Sequence, residues 1–565
     1  METSREKRMT ARLRYSLLFG LLGALFFVPF LGGVHLFDWD EINFAECARE
    51  MIITRDYLRV HINFEPFWEK PPFFFWTQAL AMHAFGTNEF AARLPNAACG
   101  IVTLILLFNI GSRLYDTRFG LLWAGAYLGS ILPHLYFRSG IIDPYFNLFI
   151  FLGLYLFILF YWKKDGFSGI RLARGKYVYL VAGGLMVGMG ILTKGPVAYL
   201  IVCLTLFVYW VRQRFRFYVS VPQFGLFSLA ASVVTLAWGG VETAVHGPGF
   251  VTEFTKYQYR LFSTPDAGHA GFPGYHFVVL LVGCFPASIF GLRGFFQTGQ
   301  TRVHQRDFKV WMVILFWVVL ILFTVVKSKI VHYSSMCYFP FTYLAALTVY
   351  QLLNRKVVFA RWMKAGLLLI AAVWSLATIA LPFVAQRIDL LRPLLSKDPF
   401  AVANLDARVH WTGWEAIAGV VLIVATWLGV RWLGGAPNPN RQARGVGLIF
   451  GGTAVFVLLT LTFFIARIEA YSQGSAIRFY ERLQGKDVYV EPFGFRTYGH
   501  LFYTRKQPGQ TLRPNNRERL LREPLDKDLY LVTKITAAAP LRADPAFQEI
   551  GSENGFVCFV RRKGR

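Results

Sequence analysis

Thirteen stretches of predominantly apolar residues, each about long enough to cross the ~30 Å hydrocarbon layer of a bilayer, constrain this 565-residue chain more than any other feature. They fall near 14–33, 95–112, 119–136, 142–162, 177–192, 196–211, 222–242, 275–297, 310–326, 332–352, 363–385, 414–433 and 446–466. Composition agrees: 55% of residues are hydrophobic and only 16% charged, against about a quarter charged in ordinary soluble domains. The chain therefore reads as a polytopic α-helical membrane protein. The runs 177–192 and 196–211 are separated only by Thr193, Lys194 and Gly195, so a split helix is an alternative there. The basic N-terminal stretch resembles a signal-peptide n-region, but the apolar run behind it is a full span long, which predicts an uncleaved first helix.

A formal net charge of +26 could suggest nucleic acid, yet the basic residues gather in short clusters between apolar runs. Arg113 and Arg118, Lys163 to Lys176, Arg212 to Arg216, Arg293 to Lys309, Arg355 to Lys364, and Arg431 to Arg444 all fall on one side if the chain alternates through the membrane. By the positive-inside rule that side, and the N-terminus with it, is cytoplasmic, so the charge reports topology and predicts no nucleic-acid partner. Six dispersed cysteines form no CxxC or metal spacing.

The opposite face receives every unusual polar segment. The first is Phe37 to Pro72, where Asp38, Asp40, Glu41, Glu46, Glu50, Glu65, Glu69 and Lys70 collect in a chain otherwise poor in acids. Between Glu41 and Met51 apolar residues recur at helical spacing, predicting a short amphipathic helix on the membrane surface. Asp40 and Glu41 at its start could be helix caps alone. The same face holds Asp143-Pro144, Lys194-Gly195-Pro196, Arg260, Lys327, Lys329, His332 and Tyr333. Charges flanking apolar spans commonly mark a cavity or functional path. The bland alternatives are an N-cap for Asp143 and headgroup snorkelling for Lys194, Lys327 and Lys329.

After about Ile468 the composition shifts. Short β-type runs at Asp487–Val490, Leu529–Thr533 and Phe556–Val560, with a helical Ala476–Leu483, predict a small extracytoplasmic α/β domain over 468–565 behind a membrane domain over 1–467. Its basic end, Arg561, Arg562, Lys563 and Arg565, is either a solvated tail or a contact for anionic membrane lipids.

Carboxylates together with fixed cations suit departure of an anionic group from a carbon that develops positive charge. Glycosyl transfer from a phosphate-linked sugar has this form, with carboxylate facing the oxocarbenium-like centre and Lys or Arg holding the phosphate. With no Walker motif or other phosphate-cradling glycine loop, a lipid-phosphate donor is favoured over a soluble nucleotide. A transporter or flippase is the reading from another class. It is disfavoured because no internal repeat is visible and the polar residues lie at one face instead of the midplane.

Asp40-Glu41, Phe67-Trp68-Glu69-Lys70-Pro71-Pro72, Arg93-Leu94-Pro95, Asp143-Pro144, Leu192-Thr193-Lys194-Gly195-Pro196 and Lys329-Ile330-Val331-His332-Tyr333 follow one another across roughly the first 340 residues. In that order they resemble the bacterial GT-C glycosyltransferases related to protein O-mannosyltransferases, and among them the lipid A aminoarabinose transferases. The resemblance implies a polyprenyl-phosphate sugar donor, inversion at the anomeric carbon and residence in the bacterial inner membrane with the active site periplasmic. It implies a catalytic Asp40 with Asp143 in support, and a donor phosphate held by Lys70, Arg260 and Tyr333; Glu41, beside Asp40, is a further expected catalytic residue. Glu69, Lys194, Lys329 and His332 are further expected substrate contacts. No cofactor is required by this picture. Glu69 with His269 or His276 could assemble a metal site, but without ligand spacing these histidines read as solvated loop residues. The acceptor is expected to be a lipid A phosphate. A different sugar, or a protein or other envelope acceptor, is the runner-up.

Overall fold

The computed structural model describes residues 2–170, 172–263, 271–298, 302–435, 438–510 and 523–564. The chain begins with α1 (Glu2–Phe27), then enters an outer segment holding α2 (Asp40–Thr54), a two-stranded ribbon of β1 (His61–Ile62) and β2 (Glu65–Pro66), and α3 (Phe73–Phe85). The membrane body follows as α4 (Glu89–Leu114), α5 (Thr117–Leu128), α6 (Ile131–Leu135), α7 (Asp143–Lys164), α8 (Lys176–Lys194), α9 (Val197–Arg212) and α10 (Val221–His246). It continues through α11 (Gly249–Ser263), α12 (Tyr275–Gly283), α13 (Ala287–Phe295), α14 (Val303–Val325), a 3-10 turn at Val331–Cys337, α15 (Tyr338–Leu353) and α16 (Arg361–Ala385). The last apolar helices are α18 (Ile417–Gly434) and α19 (Pro439–Ala470), after a short α17 (Pro399–Asn404).

Among the described residues ten helical stretches are long and apolar enough to cross a membrane, or eleven if the bent pair α12–α13 counts as one. The remaining apolar runs are helical but altered. The run 119–136 breaks after Leu128, where Gly129 and Ser130 separate α5 from α6. In 275–297 the two halves meet at 116°. The break lies at Phe285-Pro286, where proline has no N–H to continue the ladder. The run 196–211 is a separate 16-residue helix, α9, divided from α8 by Gly195 at φ +114, a backbone value that favours glycine. Small residues let the long helices approach closely: a Cβ on Gly153 of α7 would fall 2.5 Å from Val187 of α8.

The helix expected over 41–51 is present as α2, but it does not lie on a surface with its polar side in water. Glu46, Arg49 and Glu50 are as buried as Phe44 and Ala48. Arg49 bonds Glu46 through Nε at 2.7 Å and donates through Nη2 to the Lys506 carbonyl at 2.8 Å, so the polar face is covered by the C-terminal domain. That domain has α20 (Gly474–Arg482), α21 (Gly499–Tyr503) and a sheet of β3 (Tyr489–Phe493), β4 (Leu529–Lys534), β5 (Gln548–Glu553) and β6 (Phe556–Arg561). The strand order is β3-β4-β6-β5, with β3 and β4 parallel and the other pairs antiparallel. Ile477, Tyr480, Phe502 and Val532 share one apolar core with Leu36, Ile42 and Phe74. α19 runs unbroken to Ala470, so the boundary expected at 467/468 lies within its last turn. In the basic tail Arg561 is buried as the last residue of β6, against the reading as solvated, whereas Arg562 and Lys563 are exposed, Arg562 pairing with Asp528 at 2.8 Å; Arg565 lies outside the described residues.

Candidate active site

Helix ends from distant parts of the chain deliver charged side chains to one place. Asp143 opens α7, and its carboxylate makes no capping bond; Oδ1 instead accepts from Lys194 Nζ at 2.7 Å. Lys194 is the last residue of α8, and its ammonium lies 5.3 Å from the ring centre of Tyr333 and 5.6 Å from that of Phe146. His332, in the 3-10 turn, stands between two carboxylates, with Nε2 3.9 Å from Asp40 Oδ2 and 4.0 Å from Asp143 Oδ2. The Asp143 side chain is 3% exposed and that of Asp40 35%, so Asp40 is the acid open to an entering molecule. Asp40 is the first residue of α2, after Trp39 at the N-cap, where a carboxylate also complements the helix dipole.

A second group is cationic. Lys70 Nζ donates to Tyr257 Oη at 3.1 Å and lies 4.8 Å from that ring's centre, while the Arg260 guanidinium carbon is 5.2 Å from it. Tyr257 and Arg260, three apart on α11, share one helix face. Glu69 approaches Lys70 at 4.0 Å. The groups adjoin: a Cβ on Gly195, next to Lys194, would fall 2.8 Å from Phe254 on α11, and the Lys70 charge acts on His332. Six of the sequence-predicted residues, Asp40, Asp143, Lys194, His332, Lys70 and Arg260, thus meet across these two groups, with Tyr333 beside Lys194.

Two expected residues are engaged otherwise. Glu41 is buried, with Oε1 accepting from Arg93 Nε at 3.0 Å and Gly140 N–H at 2.6 Å, and Oε2 from Arg93 Nη2 at 2.8 Å and Phe37 N–H at 3.1 Å. Burial alone would raise its pKa, but the Arg93 charge and these bonds hold it below the usual glutamate value. Both oxygens are occupied, which corrects the expectation of a catalytic role beside Asp40. Lys329 is buried, and its ammonium donates to the carbonyls of Phe323 (3.0 Å), Thr324 (2.7 Å) and Val326, closing the C-terminal end of α14. That satisfies its three N–H donors and corrects its expected role as a substrate contact; desolvation lowers its pKa.

Among the described residues no group of three His, Cys, Asp or Glu side chains could hold a metal. His276 is buried in α12, contrary to its reading as a solvated loop residue, and His269 lies outside the described residues. Sequence reasoning missed Tyr257, although its spacing from Arg260 was visible in KYQYRLF. It also missed the partner of Glu41, since nothing local links Arg93 to it.

The family described as Dolichyl-phosphate-mannose-protein mannosyltransferase matches residues 69–238. A protein of Erwinia tasmaniensis named undecaprenyl phosphate-alpha-4-amino-4-deoxy-L-arabinose arabinosyl transferase is 27% identical over 443 residues, covering 76% of this chain and 77% of its own. One of the same name from Edwardsiella ictaluri is 28% identical over 433 residues, 72% of this chain and 75% of its own. In structure, ArnT from Cupriavidus metallidurans, solved with undecaprenyl phosphate, superposes with a TM-score of 0.76 over 97% of this chain and 98% of its own at 18% identity, a likeness of fold.

Proposed function

We infer that this chain, a GT-C membrane glycosyltransferase related to the aminoarabinose transferases, moves 4-amino-4-deoxy-L-arabinose from undecaprenyl phosphate to a phosphate of lipid A. The sugar and carrier are those in the names of its relatives. The observation that carries the reading is the pairing of an acid group, Asp40 and Asp143 both about 4 Å from His332 Nε2, with a cation group, Lys70 and Arg260 both at the ring of Tyr257.

In this reading Lys70 and Arg260 hold the donor phosphate, and Tyr257 keeps the lysine in place. An acceptor phosphate oxygen attacks the anomeric carbon from the face opposite the carrier. As the new C–O bond forms, the bond to the carrier oxygen breaks, its electron pair leaves with undecaprenyl phosphate, and the configuration inverts. The cations stabilise charge growing on the leaving oxygen, and the carboxylate of Asp40 stabilises positive charge on the sugar. A lipid A phosphate is already anionic at neutral pH, so Asp40 orients and balances charge; a protein hydroxyl acceptor would need it as a base. Asp143, fixed by Lys194, supports Asp40 through the shared His332. Side chains supply both signs of charge, and no cofactor enters the scheme. Glu41 is an anchor and Lys329 a helix cap. The clustered basic loops support an inner-membrane orientation with a cytoplasmic N-terminus and a periplasmic site and C-terminal domain.

The test is transfer by the purified protein in detergent, supplied with undecaprenyl-phosphate aminoarabinose and lipid A and followed by mass spectrometry of the acceptor. Aminoarabinose on lipid A phosphate, abolished in Asp40→Asn with donor binding retained, is the expected result. An inert protein under these conditions, or near-normal turnover by Asp40→Asn, overturns the assignment.

A further inference from the structure

Besides the bonds of Phe37 N–H to Glu41 and of Arg93 to the His35 carbonyl, the backbone leading into Asp40 is hydrogen-bonded from the far end of the chain. Leu36 N–H donates to Tyr503 Oη at 2.7 Å, and Leu36 C=O accepts from Gln473 Nε2 at 2.6 Å. The other end of the same amide, Gln473 Oε1, accepts from Asp38 N–H at 3.3 Å. Asp38 Oδ1 in turn accepts from the Tyr498 N–H at 3.2 Å, and the Trp39 ring meets that of Tyr498 edge-on, with centres 4.7 Å apart. On the preceding residue, His35 contacts Glu469 at 3.1 Å and Glu481 at 3.3 Å. Residues 35–39 are thus gripped by α19, α20 and α21, and the next residue is Asp40.

We propose that the C-terminal domain is part of the active site: Gln473 and Tyr503, with the Tyr498 backbone, are positioning residues that set where the Asp40 carboxylate stands during transfer. Gln473 suits the task. It lies where α19 gives way to α20, and its one planar amide bridges two backbone groups of the entering segment, as a neighbouring strand would. Tyr503 satisfies the remaining N–H of Leu36 at a buried position where water would not replace it. Further along α2, Arg49 is tied to the same domain through the Lys506 carbonyl. Of the donor cations, Lys70 hydrogen-bonds Tyr257 of α11 and not the C-terminal domain. Loosening the grip therefore affects the chemical step more than donor binding.

The proposal rests on Asp40 being the reacting carboxylate, and the experiment separates the two ideas. Gln473→Ala, Tyr503→Phe and Asp40→Asn are made in the full-length protein, and kcat, KM for the polyprenyl-phosphate sugar and the unfolding temperature are recorded for each. Misplacement of a reacting group by about 1 Å lowers rate on the order of a hundredfold. Gln473→Ala and Tyr503→Phe are therefore expected to lower kcat roughly tenfold or more, with KM and unfolding temperature close to wild type. Normal kcat in folded Gln473→Ala and Tyr503→Phe, with Asp40→Asn inactive, overturns this inference alone. A loss that appears as raised KM, or only in step with unfolding in the milder Tyr503→Phe, overturns it too. Activity in Asp40→Asn overturns the underlying reading of the site.

Discussion

Asp40 and Glu41 are adjacent acids with opposite fates, and Glu41→Gln separates them. The Glu41 carboxylate is 9% exposed and accepts four hydrogen bonds, two from the Arg93 fork. Glutamine keeps one accepting oxygen and turns an –NH2 group toward groups that can only donate. Arg93 retains its bonds to the carbonyls of Leu31, Val34 and His35 but loses its counter-charge. Breaking one partner of a buried ion pair costs about 3–5 kcal/mol, and the four bonds here argue for that full range. The folded-state pKa of Glu41 is lowered, so its contribution is present above the ordinary glutamate value and is lost as pH falls through the lower folded-state value. The stability gap between wild type and Glu41→Gln should therefore be largest at neutral pH and close in acid. Unfolding in detergent across that range measures the gap, and transfer per folded molecule measures the chemistry. Glu41→Gln should unfold earlier and, because Glu41 also holds the Phe37 N–H, keep only part of its transfer per folded molecule, whereas Asp40→Asn should unfold like wild type and lose transfer. A stable Glu41→Gln with turnover as low as that of Asp40→Asn would refute the anchor assignment.

Other substitutions test other parts of the site. Burial, with the neighbouring Glu46 charge, pushes the Glu50 pKa to about 9, so the folded protein binds one more proton than the unfolded chain above the ordinary glutamate pKa and up to that value. Stability should fall as pH rises through this window, and Glu50→Gln should flatten the fall in a pH series of unfolding temperatures. Lys70→Ala should raise KM for the donor in steady-state assays with a smaller effect on unfolding, and Tyr257→Phe, which keeps the ring and loses the hydroxyl, should do so more weakly. Arg59→Ala strands Glu242, whose side chain is 1% exposed and meets Arg59 at 2.5 Å. It should cost about 3–5 kcal/mol in unfolding measurements without a change in the intrinsic step.

Much of the membrane body was legible because apolar run length is a local property. Asp40, Asp143 and Lys194 stood out for a related reason: charge beside an apolar span is costly, so its presence asks for a partner. The partners themselves could not be read, because Asp143 meets Lys194 across 51 positions and Glu41 meets Arg93 across 52. The same blindness misread α2. Its periodicity correctly marked an apolar and a polar side, but nothing in 41–51 reveals that a domain more than 400 residues later closes over the polar one. Lys329 drew attention as a charge near the site, while the carbonyls it satisfies belong to a helix end that only the folded chain presents.

The contacts among the polar groups also count membrane passages. Asn96 near the start of α4 bonds the Ile141 carbonyl before α7 at 2.6 Å, so α5 and α6 must together carry the chain back across the bilayer that α4 traverses. Gly195 abuts Phe254, and α10 between them is of full length, so the 16 residues of α9 must make the return. His332 beside Asp40 likewise requires the bent pair to cross before α14 does. These returns stand beside the ten helical stretches among the described residues, or eleven with the bent pair, that are long and apolar enough to cross. A helix the length of α9 rises only about 24 Å, less than the ~30 Å of an average hydrocarbon layer. The lipid must therefore thin around it, or its flanking side chains must reach outward, immediately beneath the turn that presents Lys194.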